Sequence, residues 1–195
     1  MKNPSKPFSR KGFTLVELLV VIAIIAVLAS AGFSVGPAMM NKAKKLSAHA
    51  TATNIANAVE QFYTEYSVLP DPGSNSAEAQ FATNASPLLD ILAGGNKTKS
   101  IQQNPRKIRF LSVKEAKNGK DGALYTGTAI SKILDPWGQP FYIRLDYDYD
   151  EKLKFTPPTT PPSAEVTLNG RRVAVYSLGV KPPAKANAKT LVKTW

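Results

Sequence analysis

A long apolar stretch near the start of the chain predicts a helix that lies in an apolar environment. No charged residue occurs between Leu18 and Phe33, and the apolar character extends back to Phe13 with Glu17 as its one acid. From Phe13 to Ala31 the stretch has 19 residues, roughly 28 Å as a helix and enough to span a bilayer core. A carboxylate deep in a membrane costs roughly 2.5–3.5 kcal/mol, so Glu17 is a candidate functional residue.

A second, amphipathic helical pattern follows without a break. Gly36-Pro37 predicts a bend rather than an end, because proline removes one helix donor and crowds the preceding turn. Apolar residues then recur four, three and four positions apart, on one face of a helix: Ile55, Val59, Phe62 and Tyr66. A cluster of helix breakers over residues 69–73 predicts the end of this element.

The remaining chain reads as one short helix and several strands. Ser86 is the predicted N-cap of a helix that carries Leu88, Leu89, Ile91 and Leu92 and that Gly94 closes. Strands are predicted at residues 108–113 and 141–145, and a hairpin is predicted about Asn169-Gly170. The pattern therefore predicts a long N-terminal helix followed by a domain that contains a short helix and a hairpin.

Composition argues against an enzyme. The 195 residues suit one soluble domain and one membrane helix, and the chain contains no cysteine. Disulfides and thiolate metal sites are thereby excluded. His49 is the sole histidine, and no glycine-rich phosphate loop follows a strand.

Part of the net charge of +11 lies near the N-terminus and bears on membrane topology. Four positive residues lie in the first 12 positions, and their removal would leave +7. Positive residues beside a membrane helix stay in the cytoplasm, so the C-terminal domain is predicted to face outward. The other lysines are scattered rather than clustered with aromatic residues. They indicate a solvated surface, and no nucleic-acid partner is expected.

The segment around the start of the apolar stretch carries a specific motif. Its residues are Lys11-Gly12-Phe13-Thr14-Leu15-Val16-Glu17-Leu18-Leu19. This segment resembles the class III signal of type IV pilins and pseudopilins. The resemblance implies that prepilin peptidase cleaves after Gly12, on the cytoplasmic side, and N-methylates Phe13. It also assigns Glu17 to subunit assembly.

Two ordinary alternatives exist for this segment. A secretory signal peptide would be cleaved after Ala29-Ser30-Ala31, and a plain signal anchor would not be cleaved at all. The apolar stretch is long for a signal peptide, and Glu17 would only weaken one. Neither alternative accounts for Gly12-Phe13 and Glu17 together.

Two segments of the second half extend the resemblance. Asp135-Pro136-Trp137-Gly138-Gln139-Pro140-Phe141 and Val175-Tyr176-Ser177-Leu178-Gly179 are similar to segments of the major pseudopilin of type II secretion. Residues from about 73 to 107 have no counterpart. The resemblance implies an α+β, pilin-like lollipop, in which a long N-terminal helix packs on a small antiparallel sheet. Trp137 is the predicted core aromatic of this domain. The resemblance divides the chain into a leader (1–12), a transmembrane half-helix (13–36), an amphipathic half-helix (37–70) and a globular domain (71–195).

The function implied by this resemblance is structural. The expected partners are further copies in a helical filament, prepilin peptidase, other pseudopilins and the inner-membrane secretion platform, with residues 13–36 in the membrane. The expected location is the bacterial inner membrane, crossed once, with a periplasmic C-terminal domain. A type IV pilin or minor pilin is the alternative of the same class. A membrane-anchored binding module that never polymerises is the alternative of another class.

An acidic cluster is a candidate metal site. Asp146, Asp148 and Asp150 alternate like the start of an EF-hand loop, but Glu151 and Pro157 stand where its glycine and glutamate belong. The pattern favours a solvated acidic hairpin, with no cofactor, over a looser Ca²⁺ site on these three aspartates. The calcium site of the similar family follows its Tyr-Ser-Leu-Gly strand, and residues 180–189 here contain no acid.

Overall fold

A computed structural model describes residues 12–71, 73, 78–82, 87–127, 129–159, 162–179 and 185–195. Its first element, helix α1, runs from Leu15 to Tyr66 and passes through Gly36-Pro37. The prediction that the helix does not stop there is confirmed, whereas the bend stays a prediction. The chain divides into two compact units, residues 1–42 and 43–195.

The second unit begins with the amphipathic part of α1. One face is fully buried, through residues spaced three or four apart: Ala48, Ala52, Ile55, Val59 and Phe62. The helix ends because Ser67 adopts a left-handed conformation (φ 57°). Its amide N–H donates to the carbonyl of Tyr63 at 2.7 Å, which closes the last turn.

Within the described residues, two short helices and eight strands complete this unit. The helices are α2 (Leu88–Leu92) and α3 (Thr98–Gln103). The strands are β1 (Glu78–Ala82), β2 (Gly122–Thr126), β3 (Ala129–Leu134), β4 (Phe141–Asp146), β5 (Lys152–Phe155), β6 (Val166–Asn169), β7 (Val173–Ser177) and β8 (Val192–Lys193). The predicted helix at α2 and strand at β4 are confirmed, and Ser86 lies outside the described residues.

The strands form one four-stranded sheet and two two-stranded ribbons. The sheet has the order β1-β4-β7-β8, and the ribbons pair β2 with β3 and β5 with β6. Every pair is antiparallel. Helices and antiparallel sheets give the predicted α+β class.

The four-stranded sheet has a separate apolar core on each side. On one side, Ile143 and Val175 join the buried face of α1 and the apolar residues of α2 in the larger core. On the other side, Tyr176 meets Leu153 and Phe155 of the β5–β6 ribbon in the smaller core. The sheet is therefore the middle layer of this unit, which explains why all five residues of β7 are buried.

Two predicted strand features are wrong. Asn169-Gly170 does not join a hairpin, because β6 pairs with β5 while β7 pairs with β4 and β8. The amide N–H of Gly170 instead donates to the carbonyl of Glu151 at 2.7 Å. Residues 108–113 form no strand: the amide groups of Phe110 and Leu111 both donate to the carbonyl of Leu92.

Candidate processing and assembly site

At the start of α1, the side chains of Thr14 and Glu17 each accept a hydrogen bond from the backbone N–H of the other residue. The backbone N–H and the hydroxyl of Thr14 both donate to Oε2 of Glu17, at 2.8 and 2.7 Å. The backbone N–H of Glu17 returns a hydrogen bond to Thr14 Oγ1 at 3.2 Å. This arrangement is a capping box, in which Thr14 and Glu17 satisfy amide groups that the first helical turn leaves unpaired. Glu17 thus has a local structural role that the sequence analysis missed.

The bond predicted to be cleaved lies just outside this cap. Gly12 and Phe13 precede the helix and are exposed, and 77% of Phe13 is accessible. A Cβ added to Gly12 would meet no atom within 4 Å. Exposed segments with free backbone are those that proteases reach. The geometry is compatible with cleavage after Gly12, which stays a prediction along with methylation of Phe13.

An exposed apolar surface continues from the cap along the helix. The large apolar residues between Leu15 and Leu28 are each 45–78% exposed. A contiguous apolar surface on a single chain marks contact with lipid or with another protein.

Measured against the length and hydropathy that a bilayer crossing requires, none of the helices in the described part of the chain qualifies. The membrane crossing by residues 13–36 stays a prediction.

A buried carboxylate joins the two segments of the second half. Oδ1 of Asp135 accepts the backbone N–H groups of Trp137 and Gln139, at 2.9 and 2.8 Å. The hydroxyl of Ser177 donates to Oδ2 of the same residue, and the N–H of Gly179 donates to that hydroxyl oxygen at 3.1 Å. The two segments, 42 positions apart at Asp135 and Ser177, therefore form one polar cluster.

The electrostatics of Asp135 follow from its position. Burial raises the pKa of the Asp135 carboxyl, although its hydrogen bonds from Ser177, Gln139 and Trp137 act in the opposite direction. Asp135 is completely buried. The carboxyl organises a turn rather than facing a substrate, and it has the character of a structural group.

Trp137 lies at the margin of the larger core. It is partly exposed and packs against the buried residues of that core. The turn formed by Asp135 holds its backbone, so the position of the indole depends on the polar cluster as well as on packing.

The C-terminal segment is held by hydrogen bonds and aromatic packing. Oδ1 of Asn187 accepts the N–H groups of Lys189 and Thr190. The ring of Trp195 packs edge-on against Phe155 and Tyr176, with centroids 5.4 and 6.0 Å away. Sequence reasoning missed both features, although Asn-x-x-Thr is a recognisable turn pattern. Residues 180–184, where the similar family has calcium ligands, lie outside the described residues.

The three predicted metal-binding aspartates lie in the connection from β4 to β5. Asp146 is the last residue of β4 and is fully buried, whereas Asp148 and Asp150 are exposed. Burial, with a contribution from the facing Asp148 carboxylate, raises the pKa of Asp146 to about 6. The predicted hairpin is wrong, since β4 and β5 belong to different sheets. Asp148 and Asp150 are solvated as predicted, whereas Asp146 has no solvent contact.

Comparison with known proteins identifies the N-terminal segment. Residues 7–33 match the prokaryotic N-terminal methylation motif. No curated protein and no solved structure matches the chain. The motif supports a type IV pilin-like protein that prepilin peptidase processes. It suggests a chain that is anchored in a membrane and then enters a filament, and it agrees with the α+β, pilin-like fold.

Proposed function

We propose that this chain is a structural subunit of a type II secretion pseudopilus. It is cleaved after Gly12, methylated on Phe13, and polymerised through its N-terminal helix to drive protein export. The observation that carries the proposal is the polar cluster of Asp135 and Ser177. This cluster unites the two segments that resemble the major pseudopilin, while the N-terminal motif alone is common to pilins and pseudopilins.

Assembly would depend on the charge that cleavage creates. Cleavage gives Phe13 a positive amine at the edge of an apolar surface. Both hydrogen bonds that Glu17 accepts from Thr14 end on Oε2, so among the described residues Oε1 is left for another donor. The Phe13 amine of a staggered neighbour is that donor. In hydrocarbon an unpaired charge is strongly unfavourable, so the pair selects the correct stagger.

Processing is tested first. The mature protein is expected to begin at Phe13 and to carry one methyl group on its terminal nitrogen, because Gly12-Phe13 is exposed and precedes the helix cap. Mass spectrometry of the N-terminal peptide measures both modifications. A peptide that begins at Gly32 would instead identify an ordinary secretory signal and reject the proposal.

The role of Glu17 is tested by separating its charge from its cap. Glu17→Gln keeps an oxygen that can accept the Thr14 N–H, but it removes the charge, whereas Glu17→Ala removes both. Both variants are expected to be cleaved after Gly12 and to lose at least about tenfold in sheared-filament yield, because breaking a buried ion pair exceeds about 1.4 kcal/mol. Methylation of Phe13 is also expected to fall.

Thr14→Ala is the matched control, since it weakens the cap and leaves the charge of Glu17. Its filament yield is expected to stay close to that of the wild type. A normal yield from Glu17→Gln with a poor yield from Glu17→Ala would assign Glu17 to helix capping and reject the charge pair.

A type IV pilin would give the same results in both experiments, so a further observation is needed to separate the two kinds of filament. Genes for a secretion ATPase and an outer-membrane secretin beside this gene are expected for a pseudopilus. Genes for pilus retraction in their place would favour the pilin.

A further inference from the structure

The connection from β4 to β5 brings three carboxylates to one point. Asp146, Asp148 and Asp150 each offer one oxygen, and no two of these oxygens lie more than 4.8 Å apart. Like charges at such distances repel strongly where water is excluded. Asp146 is completely buried, so this repulsion is only partly screened. The arrangement therefore favours a positive charge among the three groups.

One carboxylate oxygen of the cluster is buried without a donor. Oδ2 of Asp146 accepts the N–H of Glu151 at 2.9 Å, but Oδ1 is buried and accepts no hydrogen bond from the described residues. A buried acceptor left without a partner costs about 1–3 kcal/mol, and more when it is charged. A cation at the cluster would satisfy this oxygen, for which the described part of the chain supplies no side-chain or backbone donor.

The surrounding chain holds the carboxylates in place. The hydroxyl of Tyr147 donates to the carbonyl of Pro70 at 2.7 Å, and the hydroxyl of Tyr149 accepts the N–H of Leu69 at 3.1 Å. Two tyrosines that alternate with the aspartates thus fasten the connection to the segment after α1. The three carboxylates are presented by a connection with fixed contacts rather than by a free loop.

Nearby positive side chains leave most of the negative charge uncompensated. Nζ of Lys152 lies 3.8 Å from Oδ2 of Asp150, and both side chains are half exposed, so this pair contributes little. Arg172 pairs with Glu60 and Glu151 rather than with the three aspartates. The described residues therefore neutralise little of the negative charge of the three aspartates.

We propose that Asp146, Asp148 and Asp150 form a Ca²⁺ site in the β4–β5 connection, with water completing the coordination. The ligands are all hard oxygens, as calcium requires. Calcium holds its oxygen ligands at about 2.3–2.6 Å. Three oxygens that all lie within 4.8 Å of one another can therefore reach one such ion. This site is independent of the proposed filament and lies in a different part of the chain from residues 180–189.

The test uses the full-length protein in detergent micelles after treatment with a chelator. Calcium chloride alone is expected to raise the unfolding midpoint, and the same concentration of magnesium chloride is expected to raise it less. Terbium ions, whose emission is excited through nearby tyrosines such as Tyr147 and Tyr149, report binding directly and are expected to be displaced by calcium. Asp148→Asn and Asp150→Asn are each expected to weaken calcium binding at least about tenfold, since affinity follows the number of charged ligands.

Glu165→Gln is the matched control, because Glu165 is an exposed acid outside the cluster. It is expected to bind calcium as the wild type does. The proposal is overturned if the wild type shows no calcium-dependent shift up to about 10 mM, beyond the weakest extracellular calcium modules. It is equally overturned if Asp148→Asn and Asp150→Asn both keep the full shift. Since the test does not involve cleavage or assembly, its failure leaves the proposed function untouched.

Discussion

At the scale of single residues, Asp135 connects parts of the chain that are distant in sequence. One oxygen of its carboxyl organises the turn through Trp137 and Gln139, and the other accepts the hydroxyl of Ser177 at the end of β7. Each of the two segments therefore supplies part of one buried cluster. A change at Asp135 must therefore affect both.

Asp135→Ala is expected to lower the free energy of unfolding by about 3 kcal/mol, because it leaves two buried N–H groups and one hydroxyl without their acceptor. Asp135→Asn keeps an oxygen for the two N–H groups and is expected to lose less than about 1 kcal/mol. Chemical denaturation of both variants measures the difference. Equal losses from the two variants would contradict the role of these hydrogen bonds.

The difference in stability between the wild type and Asp135→Asn is expected to depend on pH. Because burial raises the pKa of Asp135 in the folded protein, the folded state holds this proton more tightly than the unfolded chain does. The resulting stabilisation is complete below the ordinary pKa of aspartate and is lost as pH rises through the raised value. The stability of the wild type relative to Asp135→Asn is therefore expected to fall over this range, and then to level off.

The residue scale also shows what sequence reasoning can and cannot find. The capping box can be predicted from the sequence, since Thr14 and Glu17 stand at the spacing that defines one. The burial of Asp146 was not readable. It depends on how the chain beyond β4 folds back, which no local pattern around three alternating aspartates encodes.

At the scale of elements, helices α1 and α2 followed from local rules, whereas α3 was not predicted. The buried face of α1 repeats every three or four residues, and α2 ends just before Gly94, so periodicity and termination signals were sufficient. The strand at β4 also followed, because the segment after Gly138 and Pro140 is rich in aromatic and branched residues. The local sequence of these elements is therefore sufficient to predict them.

Pairing between strands did not follow from local rules. Asn169-Gly170 turns the chain as expected, and Gly170 has a left-handed conformation (φ 66°), but the turn leads from one sheet into another. The reason is burial: β7 is covered on both faces and takes a central place between β4 and β8, whereas β6 alternates in exposure and suits a ribbon. Tertiary packing overrode the hairpin signal.

At the scale of the whole molecule, the unit from residue 43 onward contains both apolar cores. A protein comprising residues 43–195 is therefore expected to fold as a soluble monomer with a cooperative unfolding transition. Analytical ultracentrifugation and thermal denaturation measure these properties.

The control for this experiment is a shorter protein comprising residues 67–195, which lacks α1. It is expected not to fold, because Ile55, Val59 and Phe62 fill the larger core. Aggregation of the 43–195 protein, or cooperative folding of the 67–195 protein, would contradict this account of what stabilises the unit.

The position of the helix cap has a consequence for how a mature subunit is recognised. The cap begins at Thr14, so the hydrogen bonds of the first turn involve neither Gly12 nor the nitrogen of Phe13. Cleavage and methylation at that nitrogen consequently leave the ladder of helical hydrogen bonds as it was. A precursor and its mature form therefore share the same helix from Thr14 onward. Because cleavage does not change the conformation of this helix, any machinery that admits only the mature form must recognise the new terminal charge or the absence of the leader.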